Sequence, residues 1–182
     1  MSECEGVTVV VPIIIIGQVI KASIIIKEMS LMLNILDFEF EEVPIGGGSL
    51  PLAVNAGASE LPLTEIWLSV TGSNQYIFMY STIGWQAQIT TTSIAPELVF
   101  RIRRGGFGTN SPIVFQTSDS ALLIGNTAIS MNIGMTTAFN HTELPPMSVI
   151  GVAQQYFLTV QNIGVGNASI VGPVNLTGFV LG

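Results

Sequence analysis

The chain has 182 residues and a net charge of −7; 48% of its residues are hydrophobic and only 9% are charged, against roughly 25% in an ordinary globular chain. That length suits one domain, with room for an appendage, and is enough to bury a sizeable core. So little charge points to a membrane protein or to a protein that hides much of its surface in an assembly. The acidic balance argues against nucleic acid as a partner, and the single cysteine, Cys4, excludes an internal disulfide framework.

The first element is GVTVVVPIIIIGQVIKASIIIKE, Gly6 to Glu28. A membrane span needs about 20 predominantly apolar residues, and here the uncharged run from Gly6 to Ile20 is broken by Pro12 and Gly17 before Lys21 ends it. Ile and Val are poor helix formers because β-branched side chains lose rotamer freedom against the preceding turn. A signal peptide calls for a basic start, whereas this chain begins MSECEG. No membrane span is therefore expected, and the segment is read as extended β-structure. Pro12 has no N–H, so it suits a sheet edge or a break between two short strands, VTVVV and IIII.

The stretch LMLNILDFEFEEV, Leu31 to Val43, alternates with a shift near Ile35 and Leu36 that suggests a bulge. A long Gly- and Pro-rich loop follows, VPIGGGSLPLAVNAGASELP. Strands are then predicted in LTEIWLSVTG, QYIFMYSTIGWQAQITTTS, ELVFRIRRGG, PIVFQTS, AISMNIGMTTAFNHTE, SVIGVAQQYFLTVQNIG and ASIVGPVNLTGFVLG. In the fifth of these, Ile129, Met131, Ile133 and Met135 fall on one face. Strands at near-regular spacing with Gly-rich turns predict an all-β fold. About eight of them after residue 30 predict a jelly-roll sandwich of antiparallel strands. An immunoglobulin-like sandwich is the alternative, although its Cys…Trp…Cys hallmark is absent.

Chemistry-bearing residues are sparse. His141, in FNHTE, is the only histidine, too few for a triad or a zinc site, and is read as an exposed loop residue. RGGFGTN, Arg104 to Asn110, resembles a phosphate-cradling loop only superficially, since a strand follows where a helix would be needed; it is read as a hairpin turn. Asp119 lacks the spaced acidic set of a calcium loop. Three sequons, at Asn140, Asn167 and Asn175, matter only in a eukaryotic secretory path. No catalytic residue, cofactor or metal is expected, and the chain is not read as an enzyme.

The charges are more informative. Asp37, Glu39 and Glu41 recur at period two, and so do Arg101 and Arg103, so each set shares a strand face. They are either solvated faces of one subunit or complementary patches on neighbouring subunits. Exposed pairs are worth about 0–1 kcal/mol each, so patches of this kind would set register more than strength.

STIGWQAQITTTS, ELVFRIRRGG, PIVFQTSDS, FNHTELPP, QYFLTVQNIG and NASIVGPVNLTGFVLG together resemble the jelly-roll proteins of the Bacillus-type spore surface, which include exosporium proteins and subunits of endospore appendages. The resemblance covers roughly residues 60–182 and lies in strand texture, an R-x-R-R-G-G strand end and a Gly-ending last strand. It implies a structural protein placed on the spore surface (the exosporium) without a signal peptide, with other copies of itself and a spore-surface anchoring protein as partners. Appendage subunits linked by disulfides carry several cysteines; this chain has only Cys4, so its contacts should be mostly non-covalent, and Cys4 is expected to form no disulfide between like subunits.

The sequence is thus read as an N-terminal connector arm, 1–30, and a jelly-roll domain, 31–182, that self-assemble into a homo-oligomer or polymer, a fibre or a layer. The interface is expected at Val9, Val10, Val11, Ile13, Ile14, Ile15, Ile16, Val19 and Ile20 of the arm, with Asp37, Glu39, Glu41, Arg101 and Arg103 on the domain. An extended β-branched arm suits strand addition to a neighbour. Two alternatives stay open. Residues 7–26 could be ordinary strands of the same sandwich, or the domain could be a carbohydrate-binding or adhesive head, with Trp67, Trp85 and Tyr80 as ligand aromatics.

Overall fold

The computed structural model describes residues 8–15, 18–25, 34–43, 48–89, 95–121 and 130–182. The chain divides into two compact units, Met1–Leu33 and Asn34–Gly182. In the first, β1 (Thr8–Ile15) pairs antiparallel with β2 (Gln18–Ile25), in register from Thr8↔Ile25 to Ile15↔Gln18. The N-terminal segment is therefore a two-stranded ribbon, because two β-branched runs can satisfy each other's backbone groups. Pro12 lies inside β1, opposite Lys21, and does not divide it. In a two-stranded ribbon each strand is an edge, where proline is tolerated. Cys4 and Ile16 lie outside the described residues.

The second unit contains β3 (Ile35–Val43), β4 (Leu52–Val54), β5 (Leu61–Ser69), β6 (Tyr76–Ile89), β7 (Glu97–Arg104), β8 (Ile113–Ser120), β9 (Met131–Glu143), β10 (Ala153–Asn162) and β11 (Asn167–Leu181), with one 3-10 turn at Met147–Val149. They form two antiparallel sheets, β5-β10-β7-β8 and β3-β11-β6-β9, with β4 beside β11. The pairs are nested along the chain: β7 with β8, β6 with β9, β5 with β10, β3 with β11. A long antiparallel hairpin rolled into two facing sheets has this pairing, so the unit is an eight-stranded jelly roll with β4 as a ninth, short strand.

Alternation decides which residues enter the space between the sheets. On β6, Ile77, Met79, Ser81, Ile83, Trp85, Ala87 and Ile89 are buried, and the residues between them turn outward. Leu98, Phe100 and Ile102 of β7, with Tyr156, Leu158 and Val160 of β10, close the core from the other sheet. Burial is worth about 1.5–3 kcal/mol for each large apolar side chain. On β3 the register shifts at Leu36, so that Leu181 faces Ile35 and Val180 faces Asp37; this is where the alternation in sequence breaks. The register of β11 with β6 also shifts, between Ile170 and Val174. There a Cβ on Gly84 would lie 1.9 Å from the Gly172 carbonyl oxygen, so only glycine lets the two backbones approach. The loop expected after β3 holds β4, whose three residues pair with Ala168–Ile170.

Candidate interaction surfaces

β3 and β5 are edge strands of the two sheets on the same side of the roll. Asp37, Glu39 and Glu41 share a face, and it turns toward β5. Asp37 bridges the edges: its Oδ2 accepts the Ser69 N–H at 2.8 Å and its Oδ1 accepts the Phe38 N–H at 2.9 Å. Glu39 and Glu41 instead line an open cleft of about 490 Å³ with Glu42, Glu65, Leu63 and Trp67. The Trp67 side chain there is 51% exposed. An aromatic ring beside carboxylates and the Thr64 hydroxyl can stack on a sugar or a cation while the polar groups fix its orientation.

Arg101 and Arg103 also share a face, but it is not a solvated one. Glu60, on the segment leading into β5, lies across it. Arg103 binds the carboxylate with two donors, Nε to Oε1 at 2.6 Å and Nη2 to Oε2 at 2.8 Å. Arg101 Nη1 donates to Oε2 at 3.1 Å and to Gln161 Oε1 at 3.0 Å, and its Nε donates to Gln116 Oε1 at 2.7 Å. The Thr159 hydroxyl donates to Glu60 as well. The side chains of Arg101, Arg103 and Glu60 are only 13%, 6% and 11% exposed. The two arginines, expected to meet a neighbour's acidic strand or solvent, are committed within their own chain because Glu60 reaches them first. Arg104 points the other way and pairs with Glu143. Beside that pair, burial pushes the Tyr156 phenol well above its ordinary value, and the Glu143 charge adds to the shift.

The aromatics singled out in sequence separate. Trp85 is fully buried in the core. Its Nε1–H donates to Thr137 Oγ1 at 2.9 Å, and that hydroxyl donates to Asp119 Oδ2 at 2.6 Å. Asp119 thus ends a relay from the core to β8, and it also accepts the Ser120 N–H. His141 is not an exposed loop residue. It lies on β9 opposite Met79, half-buried, with its ring 5.1 Å from Phe115. RGGFGTN forms the turn between β7 and β8, closed by Arg104 N–H to Pro112 O at 3.0 Å. Among the described residues, no group of three or more His, Cys, Asp and Glu side chains is placed to hold a metal ion, and no helix is long and apolar enough to cross a membrane.

Tyr80 faces outward from β6, in a surface that the sequence did not single out. Register aligns Phe38, Phe179, Phe78 and Thr142 in one row across β3-β11-β6-β9, and Phe40, Thr177, Tyr80 and Asn140 in the next. Phe38 and Phe179 are in contact, ring centroids 5.0 Å apart, and Phe78 follows at 6.3 Å. Phe38, Phe40, Tyr76 and Tyr80 remain 42–52% exposed. A signal was present in DFEFEE, where aromatics alternate with the acids. Phe78 and Phe179 join it only through the strand register.

The chain is, by its strand pairing, an all-β jelly-roll module. No family model and no curated protein sequence matches it. Among solved structures it is similar to the Eiger TNF of S. frugiperda, at 14% identity and a TM-score of 0.44, over 80% of this chain and 93% of that one. It is also similar to the infectious bursal disease virus Gx strain structure, at 11% identity and a TM-score of 0.36, over 93% of this chain and 40% of that one. A third similar structure is described as CBM4 structure and function, at 16% identity and a TM-score of 0.23, over 79% of this chain and 89% of that one.

Proposed function

We propose that this protein is a non-catalytic structural subunit that self-assembles into a spore-surface appendage fibre or layer, its N-terminal unit docking into a neighbouring subunit. The β1–β2 ribbon carries this reading. It has two strands of eight residues each and a sequence dominated by Val and Ile. A ribbon two strands wide has no interior, and an isolated hairpin is marginal in water. Burying each Ile or Val is worth about 1.5–3 kcal/mol, so a neighbour that covers the ribbon gains strongly even after the cost of association. An element of one copy entering a different surface of the next is a heterologous contact, which closes into rings or runs on as filaments. The spore-surface setting rests on the resemblance in strand texture, including Arg101–Gly106, and makes an anchoring protein at that surface a second partner.

Deleting residues 2–26 tests this. The expected product is soluble and folded, with a cooperative unfolding transition, and no longer forms large polymers. An insoluble, unfolded product would make β1 and β2 part of the core and overturn the docking role. A second reading, a carbohydrate-binding or adhesive head, is favoured by Trp67, half exposed in a cleft beside Glu39, Glu41 and Glu65. It would be supported by glycan binding that Trp67→Ala abolishes without loss of fold.

A further inference from the structure

We infer that copies of the jelly-roll unit pack on one another through the outer face of the β3-β11-β6-β9 sheet, forming a finite oligomer that the N-terminal ribbons then link. This rests on the reading of the chain as a self-assembling subunit and names the surface that reading leaves open. The face is an exposed apolar patch of the kind that marks an interaction site: Phe38, Phe40, Tyr76 and Tyr80 are all about half exposed.

Charge selects the occupant. The outward residues of β11, β6 and β9 include Asn175, Thr177 and Phe179, then Phe78, Tyr80 and Thr82, then Ala138, Asn140 and Thr142, and none of them is Asp, Glu, Lys, Arg or His. Only Glu42, on the edge strand β3, brings a carboxylate into these rows. Two copies that each carry −7 repel least where neither presents charge, so this is the face on which they approach most easily. A strongly charged partner would find nothing on it to pair with. The polar groups that interrupt the aromatics are amides and hydroxyls, which both donate and accept, so the same face on a second copy can satisfy them. Size agrees. Four strands about 4.8 Å apart, with β6 running 14 residues at about 3.4 Å each, give on the order of 800 Å², close to the roughly 800 Å² that each partner contributes to a standard interface.

The test uses the full chain in four forms, with mass read by sedimentation velocity over a concentration series and folding checked by circular dichroism. They are the parent, a ribbon variant (Ile14→Asp with Val19→Asp), a face variant (Phe40→Glu with Tyr80→Glu) and the two combined. The ribbon variant is expected to stop polymerising yet remain a finite oligomer. Adding the face substitutions should weaken that oligomer on the order of 100-fold, leaving monomer. Asn140→Arg with Thr142→Arg, both exposed polar positions, serves as a second face variant if the first does not fold. Equal masses for the ribbon variant with and without a folded set of face substitutions would overturn the inference. So would a ribbon variant that is monomeric at every concentration, which would leave the face to a glycan or to the chain's own ribbon. A ribbon variant that polymerises like the parent would instead sink the docking role of the ribbon and leave the face to be judged by its own substitutions.

Discussion

Replacing Glu60 by alanine lowers the unfolding free energy by about 3–5 kcal/mol, a large share of what a domain of this size holds. Three side chains lose an acceptor at once: Arg103 with its two-donor grip, Arg101, and the Thr159 hydroxyl, although Arg101 keeps Gln116 and Gln161 and Arg103 keeps the Ser111 carbonyl. Two guanidinium groups stay in a nearly closed pocket with their countercharge gone, and that uncompensated burial sets the size of the loss. Glu60→Gln keeps the shape and one good acceptor, so its loss is smaller. Urea unfolding near neutral pH reads both. The same group predicts an acid limb. Burial alone would raise the Glu60 pKa, but the hydrogen bonds from Arg103 and Thr159 and the charges of both arginines outweigh it and hold the carboxyl below its ordinary 4.5. A lowered folded value means that the stabilisation is complete above 4.5 and is lost as pH falls below it, through the folded value. The parent should therefore lose stability over that window more steeply than Glu60→Ala. Equal stability of parent and Glu60→Ala near neutral pH would contradict this account of the cluster.

Trp85→Ala costs a similar amount, about 3–5 kcal/mol, for a different reason. Trp85 is among the largest fully buried side chains, and its removal leaves a cavity between the sheets that the surrounding β-branched residues fill only in part. The polar relay is cut as well: Thr137 Oγ1 no longer receives the indole N–H while still donating to Asp119. Trp85→Phe separates the two effects, because it keeps most of the volume and loses only the donor, at about 1–3 kcal/mol for an unsatisfied buried group. The order expected in urea is parent, Trp85→Phe, Trp85→Ala. A Trp85→Phe variant as unstable as Trp85→Ala would shift the weight from packing to the hydrogen bond.

The strands were legible because their information is local. Period-two alternation in YIFMYSTIGWQAQI is a one-dimensional record of a sheet with one face inside, and the broken alternation at Leu36 marked the register shift. β4 was not legible: three residues carry no periodicity, and its strand character comes from β11. Period two also put Arg101 and Arg103 on one face and Asp37, Glu39 and Glu41 on another, correctly. It could not tell whether a face is covered. Glu60 lies 41 and 43 residues before the two arginines, in a stretch read as loop, and the roll brings it over them. His141 was misplaced for the same reason, since the Phe115 ring that half-buries it belongs to a strand of the other sheet. The aromatic face spans four strands whose order in space, β3-β11-β6-β9, differs from their order in the chain. The Phe residues of DFEFEE were visible, but their partners were set only by the roll.

The assembly proposed for this chain is built through its own surfaces. Negative-stain electron microscopy of the purified full-length protein, across a range of concentrations and without any partner, tests it most directly. Regular fibres or sheets with a constant subunit repeat are expected, while a field of isolated monomers at the highest concentrations would contradict the proposal.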